Sequence, residues 1–161
     1  MTTELQEYMA FFADYPREVA GLLDGLTAAE LNWRPLETGD QDVTNSLAVL
    51  VTHAAGSIED WVVNVAGGQP VARNRAAEFL ARASDVESLR QRLAAACAAA
   101  GQALQTLRPE QLDETVKAGD RQVTRRWALL HSVRHSTLHL GHIQLTRQLC
   151  EAHTQKTQQN S

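Results

Sequence analysis

Apolar residues along this chain return every three or four positions and do not alternate with polar ones, which predicts a mostly helical protein. Four segments are long enough to be the main helices of a domain. Their predicted ranges are about 3–26, 44–66, 84–108 and 124–151. This arrangement predicts an all-α fold, a helical bundle in which ligand sites form between facing helices.

Capping residues and proline predict where these helices begin and bend. The predicted N-caps of the second, third and fourth long helices are Thr44, Ser84 and Thr124. Thr27 begins a capping box that opens one short helical turn. Inside the first helix, Pro16 removes a backbone hydrogen bond, so we expect a bend or break near Tyr15.

Three segments between the long helices are predicted to be irregular or extended. Gly39, Asp40 and Asp42 indicate a loop after the short helical turn. Residues 70–83 are basic and less regular, and are predicted to form a crossover connection between the second and third long helices. Residues 111–123 contain a turn at 119–120 and are predicted to make a small extended excursion.

The length of the chain favours one domain. A chain of 161 residues buries a core without disulfide or metal support. Residues 1–152 are expected to form the bundle, and the polar residues 153–161 to form a flexible tail.

Charge and composition exclude several classes of protein. The formal net charge is -4, and the fifteen basic residues are scattered, which argues against nucleic-acid binding. The first residues lack the basic start and apolar run of a signal peptide, and no window approaches the ~20 apolar residues of a membrane span. A cytoplasmic protein without a membrane segment is therefore expected. Cys97 and Cys150 lie far apart, which argues against a zinc knuckle and a disulfide framework.

Histidine is the residue type with the clearest chemical pattern. His131, His135 and His139 recur every four residues, so they stack on one face of a helix, where two neighbouring imidazoles can bind one divalent metal. The spacing alone leaves the first two and the last two as alternative pairs. His53, on the apolar face of the second long helix, is the candidate third ligand. Three neutral histidines leave a coordination position open, as catalytic metal sites do.

Other residues near these histidines are weaker candidates, and none is assigned a catalytic role. His131 and His142 are candidates for pocket lining, with a solvated surface as the alternative. Glu59 and Asp60 follow the third ligand by about two turns and are candidate hydrogen-bond partners at the site mouth, with exposed carboxylates as the alternative. Trp61 is a candidate pocket residue, although large aromatic residues usually fill the core.

The end of the last helix resembles the signature of the DinB-like superfamily. Residues 133–147 contain a His-x-x-x-His pair, followed by Gly141 and an amphipathic helix end. Residues 26–35 and 50–61 resemble two further stretches of that family, in the same order. The resemblance covers nearly the whole chain. It implies a four-helix bundle with one longer crossover connection, and it implies His53, His135 and His139 as the metal ligands.

The chain departs from the family pattern beside the second ligand of this pair. The common pattern there is His-His-Arg-Gly-Gln, whereas Leu138 precedes His139 here, Leu140 takes the place of the arginine and His142 that of the glutamine. The missing arginine would have been suited to pair with a carboxylate or phosphate. The substrates of relatives are therefore not transferred to this chain.

The resemblance implies a metal-dependent thiol S-transferase, similar to the bacillithiol and mycothiol transferases, or a related metal-dependent hydrolase. It implies one divalent metal per chain, with zinc or nickel favoured and iron or manganese as alternatives. It also implies a low-molecular-weight thiol as cosubstrate, a small-molecule substrate and a homodimer. Two other hypotheses stay open: a non-catalytic dimeric bundle that binds metal or a small ligand in stress physiology, and a metal-free bundle whose histidines only pack.

Overall fold

The computed structural model describes residues 2–36 and 44–159 of the chain. Within these ranges it contains six α-helices: α1 Thr3–Leu23, α2 Ala28–Asn32, α3 Leu47–Ile58, α4 Arg75–Glu78, α5 Val86–Thr106 and α6 Arg125–Gln159. The π-helical segment Glu59–Ala66 continues α3, and a 3-10 turn covers Pro109–Asp113. Strands β1, Thr115–Ala118, and β2, Arg121–Thr124, form an antiparallel hairpin. The predicted loop residues Gly39, Asp40 and Asp42 lie outside the described residues.

The long helices form a four-helix bundle, as predicted. Helices α1 and α3 each pack against both α5 and α6, so the order around the core is α1, α5, α3, α6. All four helices contribute fully buried apolar side chains, among them Leu5, Phe12, Leu47, Ile58, Leu93, Leu104, Leu129 and Ile143. Because α3 and α6 are neighbours, polar residues on their facing sides meet inside the bundle.

Two of the predicted N-caps are wrong by one or two residues. The Ser46 hydroxyl caps α3 by accepting from the Val49 amide at 3.3 Å, whereas the Thr44 hydroxyl accepts from the Leu36 amide before the helix. Asp85 replaces Ser84 as the cap of α5, because its carboxylate accepts from the Ser88 amide at 2.7 Å and its charge suits a helix N-terminus. The predicted caps at the two other helix starts are confirmed: Thr27 forms a capping box with Glu30 at the start of α2, and the Thr124 hydroxyl accepts from the Trp127 amide.

The first helix continues through its proline. Pro16 lies inside α1 without ending it, so the predicted break does not occur, and the bend near Tyr15 stays a prediction. The helix ends at Leu23, three residues earlier than expected, because Gly25 adopts a φ of 77° that favours glycine.

The second long helix is not α-helical to its end. From Glu59 to Ala66 the turns widen to the π-helical form, and the Gly67 amide donates to the carbonyl of Val62, five residues earlier. A Cβ on Gly67 would lie 2.6 Å from the Val63 carbonyl oxygen, so this helix end needs glycine. The sequence pattern predicted an ordinary α-helix here, because periodicity does not distinguish one wide turn from a normal one.

The remaining connections differ from expectation only in detail. The crossover contains the short helix α4, capped by the Asn74 side chain, where an irregular segment was predicted. The extended excursion is the β1–β2 hairpin, with Val116 opposite Val123 and a turn at Gly119. Helix α6 extends to Gln159, eight residues beyond the predicted end at Glu151. No helix in the described ranges combines the length and apolar character needed to cross a bilayer.

Candidate metal centre

Three histidines from two neighbouring helices meet inside the bundle. His53 lies in the middle of α3, and His135 and His139 lie one turn apart on α6. One imidazole nitrogen from each lies within 4.8 Å of the others. The spacing left two histidine pairs as alternatives. The structure brings the second pair, His135 and His139, together with His53.

The spacing of the donor atoms suits a metal ion. The Nε2 atoms of His135 and His139 lie 3.3 Å apart. Two nitrogens bound to zinc at about 2.0–2.1 Å and separated by a tetrahedral angle lie about 3.3–3.4 Å apart. The pair is thus already at the separation that one tetrahedral ion requires, and the His53 ring centroid lies 5.2 and 5.0 Å from the other two.

A buried carboxylate orients the His53 ring. The Nδ1 atom of His53 lies 2.8 Å from Oε2 of Glu78, on α4, and both side chains are almost fully buried. A neutral imidazole that donates from Nδ1 has its lone pair on Nε2, so this contact selects the tautomer that binds metal through Nε2.

The Glu78 carboxylate is held in place by hydrogen bonds from Arg73. Arg73 donates to both of its carboxylate oxygens, at 2.7 and 2.9 Å, and also to Asp60 at 3.1 Å. These hydrogen bonds from Arg73 and His53 lower the pKa of Glu78 against the effect of burial. The carboxylate therefore stays ionised and fixed in direction.

Gly56 makes room for this carboxylate. A Cβ at this position would lie 2.2 Å from Oε1 of Glu78, and 3.4 Å from Nε of Arg73. Any larger residue on this turn of α3 would displace the carboxylate from His53.

The three imidazoles are neutral at physiological pH. Burial lowers the pKa of His135 to about 4 and that of His139 to about 3, and the neighbouring histidines add to the effect. Burial also lowers the pKa of His53, although Glu78 opposes it. Only the neutral ring has a lone pair for a metal, so the site presents three donors in the form that metal binding needs.

His131 lies beside the cluster as part of an aromatic group. Its ring stacks on Trp127 at 4.9 Å and an interplanar angle of 12°, and contacts Trp61 at 4.4 Å. It lies 5.9 Å from the His135 ring. His131 thus lies next to the histidine cluster, and Trp61 lies one ring further away. Their role in lining a ligand pocket stays a prediction.

The other predicted pocket residues take different positions. Glu59 forms a bidentate ion pair with Arg92, with both hydrogen bonds at 2.6 Å, and does not contact the histidines. Asp60 is linked to His53 through Arg73 and Glu78 in turn. His142 is exposed, with its ring 5.5 Å from that of His139.

Sequence analysis missed the contribution of the crossover. Besides Glu78 and Arg73, it supplies Phe79, whose ring lies 4.9 Å from that of His53. One signal was present: Glu78 is the sole acidic residue in the basic stretch 70–83, and Asn74 is a helix-capping residue four positions before it.

Space for an exogenous ligand adjoins the cluster. An open surface groove of about 500 Å³ runs along α6 and is lined by residues of this helix, among them His131, Arg134, His135 and Leu138. One of the three histidines therefore borders a space large enough for a small molecule.

Comparisons with known proteins agree with this fold. The sequence profile of the DinB superfamily matches residues 12–143. No curated protein matches the chain. A conserved protein of Enterococcus faecalis superposes with a TM-score of 0.75 at 17% identity, covering 94% of this chain and 99% of that one.

Two structures from Bacillus subtilis are also similar. The DinB-like protein YjoA has a TM-score of 0.64 at 22% identity, covering 88% of this chain and 90% of its own. YfiT has a TM-score of 0.67 at 16% identity, covering 91% of this chain and 87% of its own. YfiT is described as a probable metal-dependent hydrolase with an unusual four-helix bundle topology. At these identities the likeness shows the fold alone.

Proposed function

The chain belongs to the DinB superfamily, and from this premise we propose that it is a metal-dependent enzyme whose ligands are His53, His135 and His139. The observation that supports this most directly is the meeting of three imidazole nitrogens within 4.8 Å, on two helices far apart in sequence. Burial that keeps all three rings neutral supports the same assignment.

The donor set favours zinc or nickel, with iron or manganese as weaker candidates. Imidazole is a ligand of intermediate softness, and the cluster contains no carboxylate oxygen among its donor atoms. Three protein ligands leave at least one position for an exogenous donor.

We propose a thiol S-transferase as the activity. A divalent metal bound here would supply a Lewis acid that favours thiolate over thiol and lowers the pKa of water towards ~7. The protein's own residues favour a thiol over water, because Glu59, Asp60 and Glu78 are each paired with an arginine. A hydrolase would need a free proton acceptor beside the site, whereas a thiol with a pKa of ~8.5 needs less assistance.

Each neighbouring group has a role in this proposal. Glu78 and Arg73 hold the His53 ring in one direction, so the donor geometry exists before the ion binds. His131 lines the space that a small-molecule substrate would enter, and the Trp61 ring contacts His131 at 4.4 Å.

Metal analysis combined with thiol titration tests the proposal. Purified protein should contain about one divalent ion per chain, His135→Ala should lose it, and His153→Ala, in the last part of α6, should retain it. In the cobalt-loaded protein, thiols should change the visible spectrum, and the loaded enzyme should transfer a thiol to 1-chloro-2,4-dinitrobenzene.

The outcomes separate the alternatives. Protein that binds no metal under several metal supplies would contradict the site itself and leave a bundle with packed histidines. Protein that binds metal but shows neither a thiol-dependent spectrum nor transfer would contradict the transferase and favour a non-catalytic metal-binding bundle. Ester hydrolysis without thiol transfer would favour a hydrolase.

A further inference from the structure

A second cavity, of about 240 Å³, lies between the π-helical segment and the β-hairpin. Its lining includes two cations, Lys117 and Arg121, together with the indole of Trp61 and the amide of Asn64. Both cations are exposed on the hairpin. Within residues 2–36 and 44–159, neither cation forms an ion pair, although Arg121 contacts two aromatic rings. Two cations without acidic partners in one cavity are the usual composition of a site for an anion.

The one carboxylate in this lining does not offset these charges. Asp60 is already paired with Arg73 at 3.1 Å, and its other oxygen accepts from the Asn64 amide at 3.1 Å. Its charge is therefore compensated from outside the cavity. The lining keeps a net positive charge from Lys117 and Arg121.

Among the described residues, no acceptor occupies the hydrogen-bond donors of the Arg121 guanidinium group. Its guanidinium carbon lies 5.1 Å from the Trp127 ring centroid and 5.8 Å from that of Trp61. Contact with aromatic rings uses the face of the guanidinium group, and a carboxylate binds to the N–H groups along its edge. The two indoles thus restrict the guanidinium without occupying its hydrogen-bond donors.

The aromatic group connects this cavity to the histidine cluster. Trp61 lines the cavity and contacts the His131 ring at 4.4 Å, and His131 lies 5.9 Å from His135. Trp127 precedes His135 by two helical turns, which is about 12 Å along α6. A group bound by Arg121 therefore lies on the order of 10–15 Å from the three histidines.

We infer that Lys117 and Arg121 bind the carboxylate of an elongated thiol whose sulfur reaches the histidine cluster, with its body along Trp61 and His131. This inference rests on the proposed function, because that function places the thiol at the metal.

The anion cavity can be tested without metal or thiol. Octanoate should change the tryptophan fluorescence of the metal-free protein in a saturable way, and octanol should bind at least tenfold more weakly. Lys117→Gln and Arg121→Gln should each raise the octanoate Kd at least fivefold, while Arg121→Lys, which keeps the charge but not the planar guanidinium, should raise it by a smaller factor. Lys156→Gln removes the same charge at the far end of α6 and should leave the Kd unchanged. Circular dichroism establishes that each variant is folded.

The length of the ligand is tested in the cobalt-loaded protein. Mercaptocarboxylates of three, eight and eleven carbons are compared with mercaptoalcohols of the same lengths, using the visible spectrum to measure Kd. The eight-carbon acid should bind at least tenfold more tightly than its alcohol, and the three-carbon pair should show no such preference. Lys117→Gln and Arg121→Gln should abolish the preference.

The two arms distinguish failure of this inference from failure of the proposed function. Equal binding of acids and alcohols, with cobalt spectra that respond to both, would overturn the anion cavity and leave the thiol site intact. Charge-dependent octanoate binding without any thiol effect on cobalt would uphold the cavity and overturn the thiol function. If octanoate binds equally well to the wild type and to both glutamine variants, the cavity assignment is wrong.

Discussion

Glu78 is the residue that determines the direction of the His53 ring. Its carboxylate accepts from His53 on one side and from Arg73 on the other, and Gly56 leaves the space that it occupies. The imidazole therefore has one tautomer and one orientation, which reduces the conformational entropy that metal binding would otherwise cost.

Replacing Glu78 should weaken metal binding without removing a ligand. We expect Glu78→Ala to raise the dissociation constant for zinc by roughly 10–100-fold, because His53 loses its orienting acceptor. Competition with a chromophoric chelator at pH 7 measures this change.

Glu59→Gln is the matched control for this prediction. Glu59 also forms a bidentate ion pair with an arginine, Arg92, at 2.6 Å, but it does not contact a histidine. Its replacement should lower stability slightly and leave zinc affinity within about twofold. An equal loss of affinity in both variants would mean that general destabilisation, and not ring orientation, is responsible.

The partly buried His135 and His139 should make the stability of the protein depend on pH. The pKa of His135 is about 4 and that of His139 about 3 in the folded protein, whereas an unfolded histidine titrates near 6.5. Between pH ~6.5 and ~4 the unfolded chain therefore binds protons that the folded metal-free protein does not. The free energy of unfolding should fall as the pH decreases through this window, by at most about 1.4 kcal/mol per pH unit for each histidine.

Urea unfolding of metal-free protein between pH 7.5 and pH 5 measures this dependence. A protein with His135→Gln and His139→Gln should show a shallower slope over the same range, because glutamine does not titrate. Identical slopes in both proteins would show that other groups dominate the pH dependence.

At the scale of elements, the parts that sequence predicted are those encoded locally. The long helices follow from apolar periodicity, and the hairpin from the turn at Gly119. The histidine pair on α6 likewise follows from spacing within one helix. These features depend on residues only a few positions apart.

The parts that sequence missed depend on contacts across the chain. The Glu78–His53 contact joins residues 25 positions apart, and Arg73, which holds Glu78, was not distinguished in the sequence from the other basic residues of the stretch 70–83. The shift from α to π geometry at Glu59 likewise leaves no periodic signature, because it adds less than one residue per turn. Such features become visible only once the helices are packed.

The π-helical segment Glu59–Ala66, which continues α3, requires glycine at position 67. A Cβ there would lie 2.6 Å from the Val63 carbonyl oxygen and 3.1 Å from Cβ of Ala103, on α5. Backbone and a packed neighbouring helix have little freedom to move, so we expect Gly67→Ala to lower the free energy of unfolding by about 1–3 kcal/mol. Chemical denaturation measures it.

Gly101→Ala provides the comparison for this prediction. Gly101 lies inside α5, and a Cβ there would have nothing within 4 Å. Alanine at this position should stabilise the protein by roughly 0.5–1 kcal/mol, because it favours the helix over the unfolded chain. A neutral or stabilising Gly67→Ala would show that the π-helical end tolerates a side chain.

At the scale of the whole molecule, α6 exposes apolar side chains on one face. Leu138, Leu145 and Leu149 are 57%, 54% and 43% exposed, and their spacing of seven and four residues places them on one side of the helix. Single exposed leucines are ordinary, but an aligned set is typical of a helix that packs against a partner. We propose that this face pairs with that of a second copy of the chain, as a two-fold symmetric dimer.

A charge on this face should therefore dissociate the dimer. The wild-type protein should elute as a dimer in size-exclusion chromatography with light scattering, and Leu145→Glu should be a monomer, because two copies would bring the new carboxylates into an apolar contact. Leu80→Glu is the control: Leu80 is 79% exposed but lies alone on the crossover, so the dimer should persist. A monomeric wild type, or a Leu145→Glu variant that remains dimeric, would contradict this interface, since either result removes the partner that the exposed leucines require.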